Sequence, residues 1–550
     1  MKKAFISACL AAILAGNVAT PSQAADKPAD AGGEGVEAVR ATVLNLIRAL
    51  VDQGVISAAK AQDMLRQAGI DPSVLNAPQV TQAVPSPEAP KPEVRVPYIP
   101  QTVKDEIREE LRQDIAAQAR AEGWGQPGVL PDWITRFTLF GDMRVRYERE
   151  QFASDNDLPQ LVDAWYQLTP GTTKDTQISH QQELIRARLG FNMQMGENWG
   201  AQMRVVAVNG DTLTASPVSY NVDEASYGRP FSAGIDLANI EWRPNAFSRL
   251  TLGRMERPYL ATDLVYANDL SFDGVVGQTA PRLSDSWTGV FTAGFHPLTS
   301  NWVGPYNNAP NVSLVAAQLG ANWRGQDESR LQMAAAYYDF INLQGQLNPN
   351  VPGSSIAAAS APPFQTLGNT MFNTNWYSNP NGAPVYAFAS KFRLADANVQ
   401  YDLARFDPLH ATLAGEWVRN LGFNAAEIAQ RIQGAVAGLP VDQNGQTGLS
   451  NPRVSGYRLG VVLGQSDMHR LGAWDVFAGY RYLERDAVPD GFTSLDYRLG
   501  GTDQRATILG GDLGLSRRVS LRLFVTSARQ IDAPVRYGLD TWFLDLYGSF

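Results

Sequence analysis

Thiols are nearly absent from this 550-residue chain: its single cysteine is Cys9. Cys9 falls in an N-terminal stretch with the layout of a secretory signal, a basic start at Lys2 and Lys3, an apolar core over residues 4–15 and a small-residue cleavage site at Ser22-Gln23-Ala24. A lipoprotein signal cut at Cys9 would leave too short an apolar core. A mature chain beginning near Ala25 has no thiol, which excludes disulfides, thiolate zinc sites and a cysteine nucleophile. Long apolar runs are absent too: beyond the signal there is no stretch of about 18 residues that would make a membrane helix. Lysine is scarce, with only Lys174 and Lys391 after Lys104, so the cationic charge of the long C-terminal part is almost all arginine. Arginine stays protonated and presents a fixed fork of donors. The net charge of −9 lacks the basic excess of a nucleic-acid binder. Phosphate-loop, nucleophile-elbow and His-Glu-x-x-His motifs are missing, and His180, His296, His410 and His469 lie far apart in sequence. No catalytic residue, metal or cofactor is expected.

What is present changes character along the chain. Residues 25–70 hold a helical pattern at Val39, Val43, Leu46, Ile47 and Leu50, broken at Gly54 and resumed from about Ser57. Residues 71–100 are a proline-rich linker with Pro72, Pro78, Pro85, Pro87 and Pro90. Residues 101–132 hold an amphipathic helix, with Val103, Ile107, Leu111 and Ile115 four apart, and a connector. That helix reads either as a short solvated element or as a coiled-coil oligomerisation segment, although it is shorter than the three or four heptads a coiled coil needs.

From residue 133 to 550 the period becomes two. In Phe137-Thr-Leu-Phe-Gly-Asp-Met-Arg-Val-Arg-Tyr-Glu148, Phe137, Leu139, Met143, Val145 and Tyr147 share one face and Thr138, Asp142, Arg144, Arg146 and Glu148 the other. About 16 such runs follow one another, joined by connections that alternate between short and long. A soluble sandwich also alternates apolar and polar residues, but it has no reason to sort its loops by parity. The mean hydropathy of −0.22 is compatible with a membrane barrel, because only every second side chain meets lipid. Trp133, Tyr147, Trp199, Trp242, Trp287, Trp323, Trp417, Trp474 and Trp542 sit near strand ends, where an aromatic ring can bridge headgroups and hydrocarbon. The last run, from Asp540, places Trp542, Leu544, Leu546 and Phe550 on one face, as a closing strand requires.

The expected fold is all-β, a transmembrane antiparallel β-barrel of about 16 strands with a short helical periplasmic extension. An arginine on the lipid side costs about 2 to 4 kcal/mol at the midplane, so the charged face should line a lumen. On the first strands this gives Asp142, Arg144, Arg146, Glu148, Arg186 and Arg188. On the next it gives Arg204, Glu241, Arg243, Arg254 and Glu256. These charges either keep the wall hydrated or form a cationic track that sets ion selectivity against carboxylates of an inward loop. The loop candidates are the segment over residues 259–269, with Asp263 and Asp269, and the Gly/Pro/Asn-rich stretch over 344–384.

The segment Leu46-Ile-Arg-Ala-Leu-Val-Asp-Gln-Gly-Val-Ile-Ser57, the linker Val96-Pro-Tyr-Ile-Pro-Gln101 and the phrases Phe140-Gly-Asp-Met-Arg-Val-Arg-Tyr147 and Leu252-Gly-Arg-Met-Glu-Arg-Pro258 resemble the bacterial "putative porin" family of outer-membrane proteins. The resemblance implies a porin-type barrel with a periplasmic extension, inserted by the barrel-assembly machinery through a last strand ending at Phe550. Gly548 departs from the large residue often found two before the terminal phenylalanine. The implied activity is non-enzymatic passive diffusion of ions and small hydrophilic solutes. Outer-membrane lipid is the surrounding partner and a homotrimer the expected assembly, with no nucleic acid. A tether to the cell wall and a barrel hydrolase are the alternative classes.

Overall fold

The computed structural model describes residues 132–168, 170–209, 231–299, 311–348, 360–362, 365–376, 383–432 and 439–550. The signal peptide, the helical segment, the linker and the amphipathic helix of the sequence reading lie outside the described residues. A one-turn helix α1 (Asp132–Thr135) leads into β1 (Phe137–Phe152), and 16 strands then close into one antiparallel barrel. In chain order the others are β2 (His180–Gln194), β3 (Trp199–Val208), β4 (Ser232–Asn245), β5 (Ser248–Glu256), β6 (Ser271–Thr279), β7 (Trp287–Thr299), β8 (Val312–Arg324) and β9 (Arg330–Ile341). A small two-stranded sheet, β10 (Met371–Asn373) with β11 (Tyr386–Phe388), interrupts the meander. The barrel resumes with β12 (Phe392–Phe406), β13 (Leu409–Asn420), β14 (Ser455–Gln465), β15 (Trp474–Leu483), β16 (Gln504–Gly514), β17 (Val519–Gln530) and β18 (Leu539–Ser549).

Alternation decides which side each residue faces. Along β1, buried Arg144, Arg146, Glu148 and Glu150 alternate with outward Leu139, Met143 and Val145. The same outward set on later strands includes Leu189, Leu319, Leu459 and Leu509, all exposed. A continuous apolar exterior is unfavourable in water and favourable against hydrocarbon. Trp199 and Trp242 stack at 6.0 Å on that exterior, with Trp417, Trp474 and Trp542 also exposed. The sheet closes by pairing β1 with β18, from Asp142 opposite Ser549 to Phe152 opposite Leu539. At the seam the Phe550 ring lies over Gly141, where a Cβ would meet the ring at 2.6 Å, and the Phe550 N–H donates to the Gly141 carbonyl at 3.1 Å. Gly141 thus admits the terminal aromatic.

The connections sort by end as expected: 246–247 and 407–408 on one rim, 153–179, 342–391 and 421–454 on the other. Several long ones do not stay outside. Residues 257–270 and 484–503 turn into the barrel, and their apolar side chains form its largest buried cluster, with Leu264, Val265, Tyr266 and Phe492 against Leu314, Tyr338, Phe340, Leu394 and Val418. The wall of β8 and β9 facing this cluster is therefore apolar, not wet. The uniform polar lining implied by simple alternation gives way there to a packed core, in which Tyr266 meets Tyr338 edge-on at 5.2 Å. The open interior lies to one side of the axis.

Among the described residues two α-helices serve the long-loop rim. In α2 (Pro159–Tyr166) proline occupies the first turn and Gln167 ends the helix in the left-handed conformation. Its Val162 and Tyr166 pack with Leu367 and Tyr537 over the seam. α3 (Ala425–Ile432) buries Ile428 and Ile432 against Phe372 and Ala387 of the small sheet.

Candidate functional site: a charged passage beside the inward loops

The segment 257–270 is held in the lumen by a set of hydrogen bonds to the wall and to itself, although the buried Tyr266 hydroxyl has no hydrogen-bond partner among the described residues. Gln318 on β8 bonds Leu260 twice, accepting its N–H and donating to its carbonyl, both at 2.8 Å. The Thr262 N–H donates to Glu416 at 3.0 Å, and its hydroxyl donates to the same oxygen. Arg257 donates to the carbonyls of Ala261, Thr262 and Tyr266 at 2.8–2.9 Å, fixing the loop's own curl. The Tyr259 hydroxyl meets His296 Nε2 at 2.8 Å. Buried backbone groups satisfied in this way let a loop cross a lumen without the usual desolvation cost.

The second inward segment, 484–503, brings Asp496 and Tyr497 to the same space. Tyr497 donates to Asp263 at 3.1 Å, so the two segments meet, and Arg458 on β14 holds Asp263 from the wall. Asp496 receives Arg146 at 2.8 Å. Burial opposes its ionisation, but Arg146 outweighs burial and holds the carboxyl below the usual carboxylate range. Elsewhere in this segment Asp490 is fully buried. It accepts the Thr366 N–H at 3.0 Å on Oδ2, while no described residue donates to Oδ1, and desolvation pushes the carboxyl up to about 7.

The sign of the resulting pH effect follows from linkage. Folded Asp490 keeps a proton that an unfolded aspartate, at about 3.9, has released. Its contribution is therefore full below about pH 4 and lost as pH rises through about 7. Amide exchange of residues 484–503, corrected for intrinsic rates, is expected to report opening that is more populated at pH 8 than at pH 5 by up to about a hundredfold. Asp490→Asn should flatten that dependence.

Beside the loops lies a cavity of about 640 Å³, bounded by Arg144, Arg146, Arg186 and Arg188 on one side, by Asp263, Asp269, Asp496 and Tyr497 from the loops, and by Arg458, Asp512 and Arg522 on the late strands. A second cavity of about 620 Å³ lies toward the short-turn rim and takes in Arg136, Glu241, Arg243, Arg249 and Glu256 with amides such as Gln202 and Asn239.

The residues expected from sequence fall into distinct settings. Arg146 is sandwiched over the Phe543 ring at 4.5 Å and makes a two-point contact with Asp545, at 2.7 and 2.9 Å. Arg522 makes the same fork with Asp512, at 2.7 and 2.8 Å. Register aligns them as a row of alternating charge, Arg146, Asp545, Arg522 and Asp512, across β1, β18, β17 and β16. Glu148 is buried beside Arg146 and Gln182. Asp142 accepts Arg188 at 2.8 Å, and Arg204 holds Asp236 at 2.9 Å and Glu256 at 2.7 Å. Glu241 pairs with Arg243 near the short-turn rim. Arg254 is placed differently: it stands on the face of β5 shared with exposed Leu252 and bonds Asp273, directly opposite on β6, at 2.9 Å. It borders neither cavity. These residues lie beside the long connections, where strands leave the apolar belt and an outward charge is tolerated.

Arg458, Arg481, Asp512, Arg522 and Asp545 are not among the wall residues expected from sequence, all of which lie on β1 to β5. The polar parity of the late strands marks each of them. Asp496 has no such signal because a loop places it. Among the described residues no group of three His, Cys, Asp or Glu side chains could hold a metal. The histidines stay apart, with Tyr259 on His296, Asp402 on His410 and Asp467 on His469.

No curated protein sequence matches the chain. Among solved structures it is similar to OprB of Pseudomonas putida, 10% identical over 76% of this chain and 95% of that one, with a TM-score of 0.42. The outer membrane channel DcaP of Acinetobacter baumannii is 8% identical over 75% and 97%, TM-score 0.39. An anion-selective porin from Comamonas acidovorans is 9% identical over 75% and 99%, TM-score 0.37. The family described as "Putative porin" matches residues 40–550, and the chain, with its closed barrel and apolar exterior, belongs to that family of the outer membrane.

Proposed function

We propose that the protein is a passive, non-enzymatic conduit for ions and small hydrophilic solutes, and that its path runs eccentrically, between the 257–270 and 484–503 segments and the wall of β14–β18, β1 and β2. The observation that supports this path most directly is the charged cavity of about 640 Å³, because the opposite half of the lumen is filled by apolar packing. A water-filled route lined by fixed charges of both signs selects by local field and width. The arginines of β1 and β2 and the aspartates of the loops all border it, so fixed charges of both signs act on whatever passes.

Purified protein in a planar bilayer is expected to give stepwise conductance. A membrane that stays sealed at every voltage would remove the conduit. Arg144→Glu is expected to move the reversal potential in a KCl gradient toward potassium, changing the permeability ratio roughly two- to fivefold. Arg146 is a poor choice for this test, because its charge holds Asp545 and Asp496 in place.

A further inference from the structure

Most inward arginines of this barrel are met by carboxylates in close geometry, as Arg146 is by Asp545 and Arg522 by Asp512. Away from the rims and the outer face, two places set arginine directly opposite arginine: Arg144 with Arg186 across β1 and β2, and Arg458 with Arg481 across β14 and β15. Like charges facing each other on a sheet are destabilising, so each pair needs an explanation. The second pair meets the inward loops, although the three guanidinium nitrogens of Arg481 have no hydrogen-bond partner among the described residues. Asp263 engages Arg458, and Arg481 lies under the Tyr497 ring, 4.6 Å from its centre.

In the first pair Arg186 is held at longer range. Arg186 is buried to 7% exposure, yet its nearest carboxylate oxygens are 3.5 Å away on Asp269 and 3.9 Å away on Asp142, beyond good hydrogen-bond range. Asp142 is already committed to Arg188, at 2.8 and 3.1 Å. The Arg186 Nε is buried and has no hydrogen-bond partner among the described residues. Arg144, Arg186 and Arg188 all border the cavity of about 640 Å³, whose size falls within the roughly 300–1,000 Å³ of small-molecule sites.

We propose that the Arg144–Arg186 pair is a binding site for small carboxylate solutes, so that passage of this class includes a binding step. The inference rests on the conduit reading above and adds to it the solute class. A carboxylate presents two coplanar oxygens to the guanidinium fork, a match that spherical chloride does not make. Asp142 and Asp269 stand close enough to keep the hold weak, and a solute must leave for flux to continue.

The test compares single-channel conductance of the full-length protein in potassium propionate, KCl and potassium phosphate across a concentration series. Propionate conductance is expected to saturate in the millimolar range while chloride conductance rises linearly. Arg186→Gln should raise the half-saturating propionate concentration about tenfold, with Arg144→Gln as the parallel variant and Arg186→Lys intermediate because charge survives without the fork. Normal KCl steps with linear propionate conductance would overturn the site and leave the conduit standing. The same holds if phosphate saturates at lower concentration than propionate, or if neither glutamine variant moves the value. Absence of any steps would overturn both readings.

Discussion

Replacing Arg146 with alanine is expected to destabilise the folded barrel by about 3–5 kcal/mol, the usual cost of removing one partner from a buried ion pair. The guanidinium bridges Asp545 on β18 and Asp496 on the 484–503 segment, and Asp545 is fully buried. Without Arg146 the Asp545 carboxylate keeps only its register neighbour Arg522, which is already forked onto Asp512. The Phe524 and Phe543 rings, stacked at 4.4 Å, also lose the cation that covers them. Equilibrium urea unfolding in lipid vesicles measures the change. Arg146→Lys should recover part of it, since an ammonium restores charge but not the two-point contact. The double variant Arg146→Met, Asp545→Leu should fall well short of the sum of its single changes, because no charge is left stranded. A loss for Arg146→Ala within about 0.5 kcal/mol of zero, the range of an ordinary surface substitution, would mean that the row of alternating charge does not hold the seam.

Substituting residues 259–269 by a short glycine-serine linker is expected to raise single-channel conductance roughly two- to fivefold, since an emptied barrel of this size leaves an open aqueous channel. The segment's apolar residues fill the half of the lumen bounded by β8, β9, β12 and β13, and its Asp263 and Asp269 supply negative charge to the remaining passage. Stability should fall in parallel, because Leu264, Val265 and Tyr266 are each almost wholly buried, and such side chains are worth about 1.5–3 kcal/mol apiece. Conductance and urea midpoint together separate a wider passage from an unfolded one. An unchanged conductance in a folded variant would put the ion path elsewhere.

Much of the barrel is legible in sequence because its governing rule is local. Period two and loop parity locate the strands: the run written out from Phe137 to Glu148 lies wholly within β1, which continues to Phe152. The polar parity of β1 and β2 likewise points Arg144, Arg146, Arg186 and Arg188 inward before any contact is known. The apolar inner faces of β8 and β9, with Leu314, Tyr338 and Phe340, are a further signal that something packs against them, and alternation alone does not say what.

What only the tertiary structure decided is which charges meet. Arg146 and Asp545 are 399 residues apart, and Arg146 and Asp496 are 350 apart. The register of the closing strand and the path of an inward loop bring them together, and no spacing in the chain encodes either. The same reason separates Arg146, forked onto Asp545, from Arg186 on the neighbouring strand, whose nearest carboxylate oxygen is 3.5 Å away. Side-chain direction follows from covalent geometry and needs only neighbours in sequence. Partnership depends on closure, so the sequence by itself determined the wall and its inward face, while the fold determined where that wall is neutral, where it is plugged and where an arginine borders the passage.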